Sequence, residues 1–169
     1  MPITHRDIET IIGIIYPVIG KKTWGASLVD NGNRISIEFG EPMPSEWELE
    51  KVRGMWHLFT DMCEWRLEKN GDVLSGSQDH SSKIELALLQ VNGSFLKSFD
   101  LKLPALNATF IFDNQVVLQI FPASFIDAEA LHWTLSLPQN WQVLEIGPGV
   151  TWSIQKYTDS RKKVTKDAP

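Results

Sequence analysis

Near the start of the chain, apolar residues recur at helical spacing; further on they switch to alternation. Ile8, Ile11, Ile12 and Ile15 fall on one helical face. Thr4 with Asp7 three residues later marks a helix start, the aspartate standing where Glu or Gln is usual. Gly13 and Pro17 end that helix near residues 13–16. From Trp24 the period is two. Trp24–Val29 and Arg34–Phe39 flank Asp30-Asn31-Gly32-Asn33, and Asn-Gly accepts the positive φ angles of a tight hairpin turn. In the second strand Ile35, Ile37 and Phe39 share one face, while Arg34, Ser36 and Glu38 share the other. Gly40–Pro44 reads as a loop, because its prolines forbid a central strand. Ser45–Arg53 reads as a short helix with Ser45 and Glu48 as its capping pair.

Met55–Leu67 reads as one long extended segment. One face would carry His57, Phe59, Asp61, Cys63 and Trp65, and the other Trp56, Leu58, Thr60, Met62, Glu64 and Arg66. Asn70-Gly71 turns it into a short strand, Asp72–Ser75. Ser82 with Glu85 opens a second helix, with Ile84, Ala87, Leu88 and Val91 on its buried face and Asn92-Gly93 at its end. The remainder predicts strands at Phe95–Leu103, Ala108–Phe112, Gln115–Phe121, Leu131–Leu137, Trp141–Ile146 and an edge strand at Val150–Gln155.

These elements predict an α+β fold. It is mainly antiparallel sheet built from hairpins and meanders, sandwich or barrel-like, with two or three short helices. Residues 1–157 are expected to form one globular domain and residues 158–169 a flexible basic tail. Glu64-Trp65-Arg66-Leu67 and His132-Trp133-Thr134-Leu135 each lie between an incoming strand and a turn with a return strand. That echo suggests a pseudo-repeat of two meanders, 20–76 and 95–155.

Composition narrows the classes. In 169 residues 43% are apolar and 22% charged, which suits a folded chain with a real core. Residues 158–169 hold four basic groups against two acidic ones. They carry +2 of a net charge of −5, so the body stands at −7. An acidic body argues against nucleic acid as a partner. Cys63 is the only cysteine, so no intramolecular disulfide forms, which suits a reducing compartment. Met1–Asp7 lacks the basic-then-apolar order of a signal peptide, and Ile11–Ile19 is too short to span a membrane. A cytoplasmic location is expected, with no membrane association.

Candidate chemistry is sparse. His57, Asp61 and Cys63 are potential metal ligands, but same-face neighbours on a strand lie about 7 Å apart, so no metal site is expected. Cys63 as a nucleophile would need a base such as His57 or His80. A lone cysteine inside a strand is more often a small buried hydrophobe. Asp79-His80-Ser81 is explained by capping of the helix that follows. His132 reads as a strand residue facing away from Trp133. Phosphate-loop and nucleophile-elbow patterns are absent, and no cofactor is implied. Trp47, among charged residues beside a proline-rich stretch, is either an interface anchor or a plug, and Trp56, within the extended segment, is likewise not assigned to the core.

Trp56-His57-Leu58-Phe59 with Cys63-Glu64-Trp65-Arg66-Leu67, and Phe112-Asp113-Asn114 with Leu118-Gln119-Ile120-Phe121-Pro122 and His132-Trp133-Thr134-Leu135, resemble a small β-rich, Trp-rich bacterial family without an assigned activity. The likeness covers about residues 20–155. The later motifs also resemble immunity proteins that neutralise bacterial toxins by binding them. The resemblance implies a non-enzymatic protein acting through a protein–protein surface, in toxin neutralisation or an accessory role, and transfers no site residue. Trp47, Trp56, His57 and Asp61 are the binding candidates and the partner would be another protein. Two other classes stay open: a small-molecule carrier with an apolar β-barrel interior, and an enzyme using His57, Asp61 or Cys63. Oligomeric state is left open.

Overall fold

The computed structural model describes residues 3–30, 33–45, 50–122, 129–138 and 142–157. The predicted basic tail and Trp47 lie outside them, as does most of the connection at Pro122–Ala130. Helix α1 spans His5–Ile15. The Thr4 hydroxyl accepts the Asp7 N–H at 3.2 Å and the Asp7 carboxylate accepts the Thr4 N–H at 2.7 Å, closing the capping box. Ile8, Ile11 and Ile15 are its buried face. Pro17, which cannot continue the α-helix, sits in a 3-10 turn over Tyr16–Val18.

Eleven strands follow among the described residues: β1 Thr23–Val29, β2 Arg34–Pro44, β3 Val52–Thr60, β4 Cys63–Lys69, β5 Asp72–Gly76, β6 Leu96–Lys102, β7 Asn107–Phe112, β8 Val116–Pro122, β9 Trp133–Ser136, β10 Gln142–Ile146 and β11 Trp152–Lys156, with helix α2 at Ser81–Leu88 between β5 and β6. They form two open antiparallel sheets. The first has the order β1-β2-β3-β9-β10-β11 and the second β5-β4-β8-β7-β6. Each sheet keeps two edge strands, so the barrel alternative does not hold.

The chain uses both sheets twice. It lays β1–β3 into the first sheet and crosses to the second for β4 and β5. After α2 it builds β6–β8 there, then crosses back for β9–β11. At the two crossings β3 lies beside β9 and β4 beside β8. The two Trp-x-Leu segments occupy matching places beside them. Trp65 and Leu67 oppose Ile120 and Leu118, and Trp133 and Leu135 oppose Thr60 and Leu58. A single buried cluster includes residues of both sheets and both helices. Across it Trp133 of the first sheet packs edge-on against Phe110 (5.8 Å) and Phe99 (6.2 Å) of the second.

The extended reading of Met55–Leu67 is corrected. Trp56, Leu58 and Thr60 are buried, then Cys63, Trp65 and Leu67. One strand of period two cannot bury both sets. The crossing at Asp61-Met62 resets the phase, and its amides donate to His132 O (2.9 Å) and Leu131 O (3.0 Å). Gly40–Pro44, read as a loop, continues β2 and pairs with β3 from Pro42↔Gly54 to Pro44↔Val52. The pairing of β1 with β2 stops at Thr23↔Phe39. Beyond it β2 has one open side, where prolines are tolerated. The helix read at Ser45–Arg53 is not formed at its C-terminal end. Val52 and Arg53 begin β3, while residues 46–49 lie outside the described set. The N-cap of α2 is His80 rather than Ser82, its imidazole accepting the Ser82 N–H. The turn between β4 and β5 is as the sequence indicates, with Asn70 at φ 53° and Gly71 at φ 84°.

Candidate functional site

The outer face of the first sheet carries a row of directly opposed residues. Trp24 opposes Glu38, Glu38 opposes His57, His57 opposes Ser136, Ser136 opposes Val143, and Val143 opposes Gln155. Opposed residues on antiparallel strands hold their Cβ atoms about 4.5–5.5 Å apart. Glu38, His57 and Ser136 therefore stand side by side on β2, β3 and β9. All three line a cleft of about 390 Å³, together with Ser27, Ser45, Lys51, Val52 and Arg53.

The centre of the site is tightly specified. The Glu38 carboxylate is only 12% exposed and both its oxygens are engaged. Oε1 lies 2.6 Å from His57 Nδ1, and Oε2 accepts the Gly54 N–H at 2.7 Å. A carboxylate can only accept, so Nδ1–H is the donor of this bond and Nε2 is the ring nitrogen left for another partner. Gly54 is required for this arrangement. A Cβ there would fall 2.6 Å from Phe39 O. The irregularity between Phe39 and Pro42 sits beside the pair. It frees the Gly40 N–H for Lys22 O (2.9 Å) and Gly40 O for the Trp24 indole (2.8 Å). Arg53, 5% exposed, donates from Nη2 to Leu137 O at 3.2 Å and ties β3 to the end of β9.

Of the sequence candidates among the described residues, only His57 lines the cleft. Trp56 points to the other face and is 6% exposed, with the Lys21 ammonium 5.7 Å from its ring centroid. Asp61 lies past the end of β3, where its carboxylate meets Arg34 Nη1 at 3.5 Å. Trp47 is outside the described residues. Cys63 is buried in the second sheet, and burial pushes its thiol up to about 12, where it is no nucleophile at neutral pH. The three candidates His57, Asp61 and Cys63 therefore do not converge. Among the described residues no group of three or more His, Cys, Asp or Glu side chains is placed to hold a metal ion.

Two other segments singled out in the sequence have structural tasks. Asp79 accepts the Gly76 N–H (2.9 Å) and the Ser75 hydroxyl (3.1 Å) and meets Lys83 Nζ at 3.1 Å. The Gly76 N–H, with Lys83 and Ser75 behind it, holds that carboxyl below its ordinary value. His132 does not lie in a strand as expected. It precedes β9, fully buried, with Nδ1 3.1 Å from Met62 O and Nε2 2.9 Å from Gly149 O. It pins the first crossing to the turn before β11.

Sequence reasoning placed Glu38 on a polar face and left Ser136 unmarked. The hairpin register would have brought Glu38 out beside β3. Nothing local signals that β9, about eighty residues later, lies on the other side of His57. No helix among the described residues is long and apolar enough to cross a membrane. No family model matches the chain, and neither the curated proteins nor the solved structures contain a match to it.

Proposed function

We propose that the protein binds a small polar ligand in the cleft over β2, β3 and β9, with the Nε2 lone pair of His57 as the principal acceptor. The observation that supports this is the double anchoring of Glu38. Its contacts to Gly54 N–H and His57 Nδ1 fix the imidazole and leave Nε2 as its remaining hydrogen-bonding atom. A cleft of about 390 Å³ is within the usual range for small-molecule sites. Its wall combines hydroxyls, charged side chains and Val52, so it suits a ligand with a polar end and a short apolar part. The protein–protein reading has less to stand on. Trp56, one of its aromatic anchors, is turned into the core. The buried Cys63 suits action in a reducing compartment such as the cytoplasm.

The test is a ligand-observed NMR screen of small esters, amides and carboxylates against protein labelled with ¹⁵N in histidine. Hits are expected to move the His57 ring nitrogens and to lose binding in His57→Gln. A hit present at 100 times its Kd should stabilise the fold by about 2.7 kcal/mol. A screen in which no compound moves the His57 signals would refute the proposal.

A further inference from the structure

We infer that Glu38, His57 and Ser136 form a nucleophilic relay, with Ser136 Oγ taking the acyl group of a small ester. The inference rests on the reading of the cleft as a ligand site and adds a reaction to it. Three facts carry it. The Glu38 carboxylate holds His57 Nδ1 at 2.6 Å, so Nδ1–H is the donor and the neutral ring would carry its lone pair on Nε2. Ser136 is the residue directly opposed to His57 on the far side from Glu38, so acid, imidazole and hydroxyl lie in one row on three neighbouring strands. All three side chains open on the same cleft, beside Val52, which offers an apolar contact for the acyl chain.

The arrangement matches the roles of the carboxylate–imidazole–hydroxyl group that recurs on unrelated folds. Such a group is recognised by geometry rather than by sequence order. Here the chain order is Glu, His, Ser. The Ser136 hydroxyl and the imidazole are not hydrogen-bonded to each other in this structure. Catalytic hydrogen bonds commonly tighten only when substrate is seated.

The reaction balances without a further reagent. The Ser136 oxygen adds to the ester carbonyl carbon as its proton passes to His57 Nε2. The imidazolium, stabilised by Glu38, returns that proton to the alkoxide as the carbon–oxygen bond to it breaks, and an alcohol leaves. Water then attacks the acyl-serine in the same way. Its proton goes to Nε2, its hydroxyl to the carbonyl carbon, and the proton returns to Ser136 Oγ as the acid departs.

The experiment treats the native full-length chain with diisopropyl fluorophosphonate and locates the adduct by peptide mass spectrometry. In that reaction the Oγ–phosphorus bond forms, fluoride leaves and the proton passes to Nε2. Ser136 is expected to be modified at least ~100-fold faster than the exposed Ser81 and Ser82, a ratio set by general-base assistance. His57→Gln should remove that advantage. Glu38→Gln, which keeps the shape of the side chain, should reduce it and alter its pH profile. Circular dichroism of both variants checks their folding, and the wild-type labelling ratio needs no variant at all. Labelling of Ser136 no faster than of Ser81, or a rate unchanged in folded His57→Gln, would overturn the relay. If compounds still move the His57 signals in that case, the ligand site stands and only the reaction is lost.

Discussion

His57 and Cys63 lie six residues apart, and the structure gives them opposite surroundings. His57 stands on the outer face of the first sheet, 27% exposed, held by Glu38 and open to a cleft. Cys63 opens β4 in the second sheet and is 6% exposed, with its thiol held protonated by burial. Between them Asp61 and Met62 carry the chain from one sheet to the other. A crossing of two residues reverses which parity of the sequence faces the core. Chemistry-bearing residues close along the chain are thereby separated, and residues far apart, Glu38 and Ser136, are gathered beside one imidazole. The polar cluster of this fold is assembled across the strands of one outer face.

The comparison predicts unequal costs on the two sides of the crossing. Trp65, beside Cys63, is 2% exposed, and its indole donates to Asn33 O at 2.6 Å. Trp65→Ala should cost about 3–5 kcal/mol, which for a chain of this size lowers the melting temperature by roughly 10 °C. His57→Ala should cost about 1.5–3 kcal/mol, since it removes one hydrogen bond to a charged group at a site 27% exposed. Equal losses in thermal unfolding would show that the outer face is as structural as the core.

Much of this fold was legible because local patterns set it. The capping box at Thr4, the turn at Asn70-Gly71 and the alternation in β2, β7 and β8 are properties of a few neighbouring residues. The misreadings share a cause in long-range pairing. Pro42 and Pro44 are admitted to β2 only because β1 stops pairing at Phe39, which no local rule states. The break at Asp61-Met62 is hidden because both flanking strands alternate cleanly and only the phase differs. The site was legible to the extent of His57. Ser136 enters it through the register of β9 on β3, a contact between residues 79 positions apart.

Gly54 connects core and cleft, and its effect should be intermediate. An added Cβ would meet Phe39 O at 2.6 Å, with Phe39 N and Trp56 O also inside 3 Å, so the backbone of β2 or β3 must shift. Overpacking of this kind costs about 1–3 kcal/mol. The same shift pulls the Gly54 N–H from Glu38 Oε2. Gly54→Ala should thus lower the urea midpoint and also move the His57 ring ¹⁵N signals. A folded Gly54→Ala protein with unchanged His57 signals would show that Glu38 does not depend on Gly54 for its position.

The smallest effect expected near neutral pH belongs to Cys63. Cys63→Ala removes one buried sulfur and should cost about 1 kcal/mol there, near the centre of the range for point substitutions. Its pH dependence is the sharper prediction. Desolvation raises the thiol from an ordinary value of 9.0 to about 12 in the folded chain. Below pH 9 the thiol is protonated in both folded and unfolded chains, so ionisation adds nothing to the balance. Between 9 and 12 the unfolded chain releases a proton that the folded one retains. The folded state therefore loses stability as pH rises, by at most about 1.4 kcal/mol per pH unit from this group. Cys63→Ala lacks that loss. Urea midpoints of the two proteins should accordingly converge as pH rises and reverse their order near pH 10. The native thiol should also react with iodoacetamide at pH 8 far more slowly than the urea-unfolded one. A stability difference that stays constant from pH 7 to 10.5, with native labelling at the unfolded rate, would place Cys63 in contact with solvent and remove the contrast with His57.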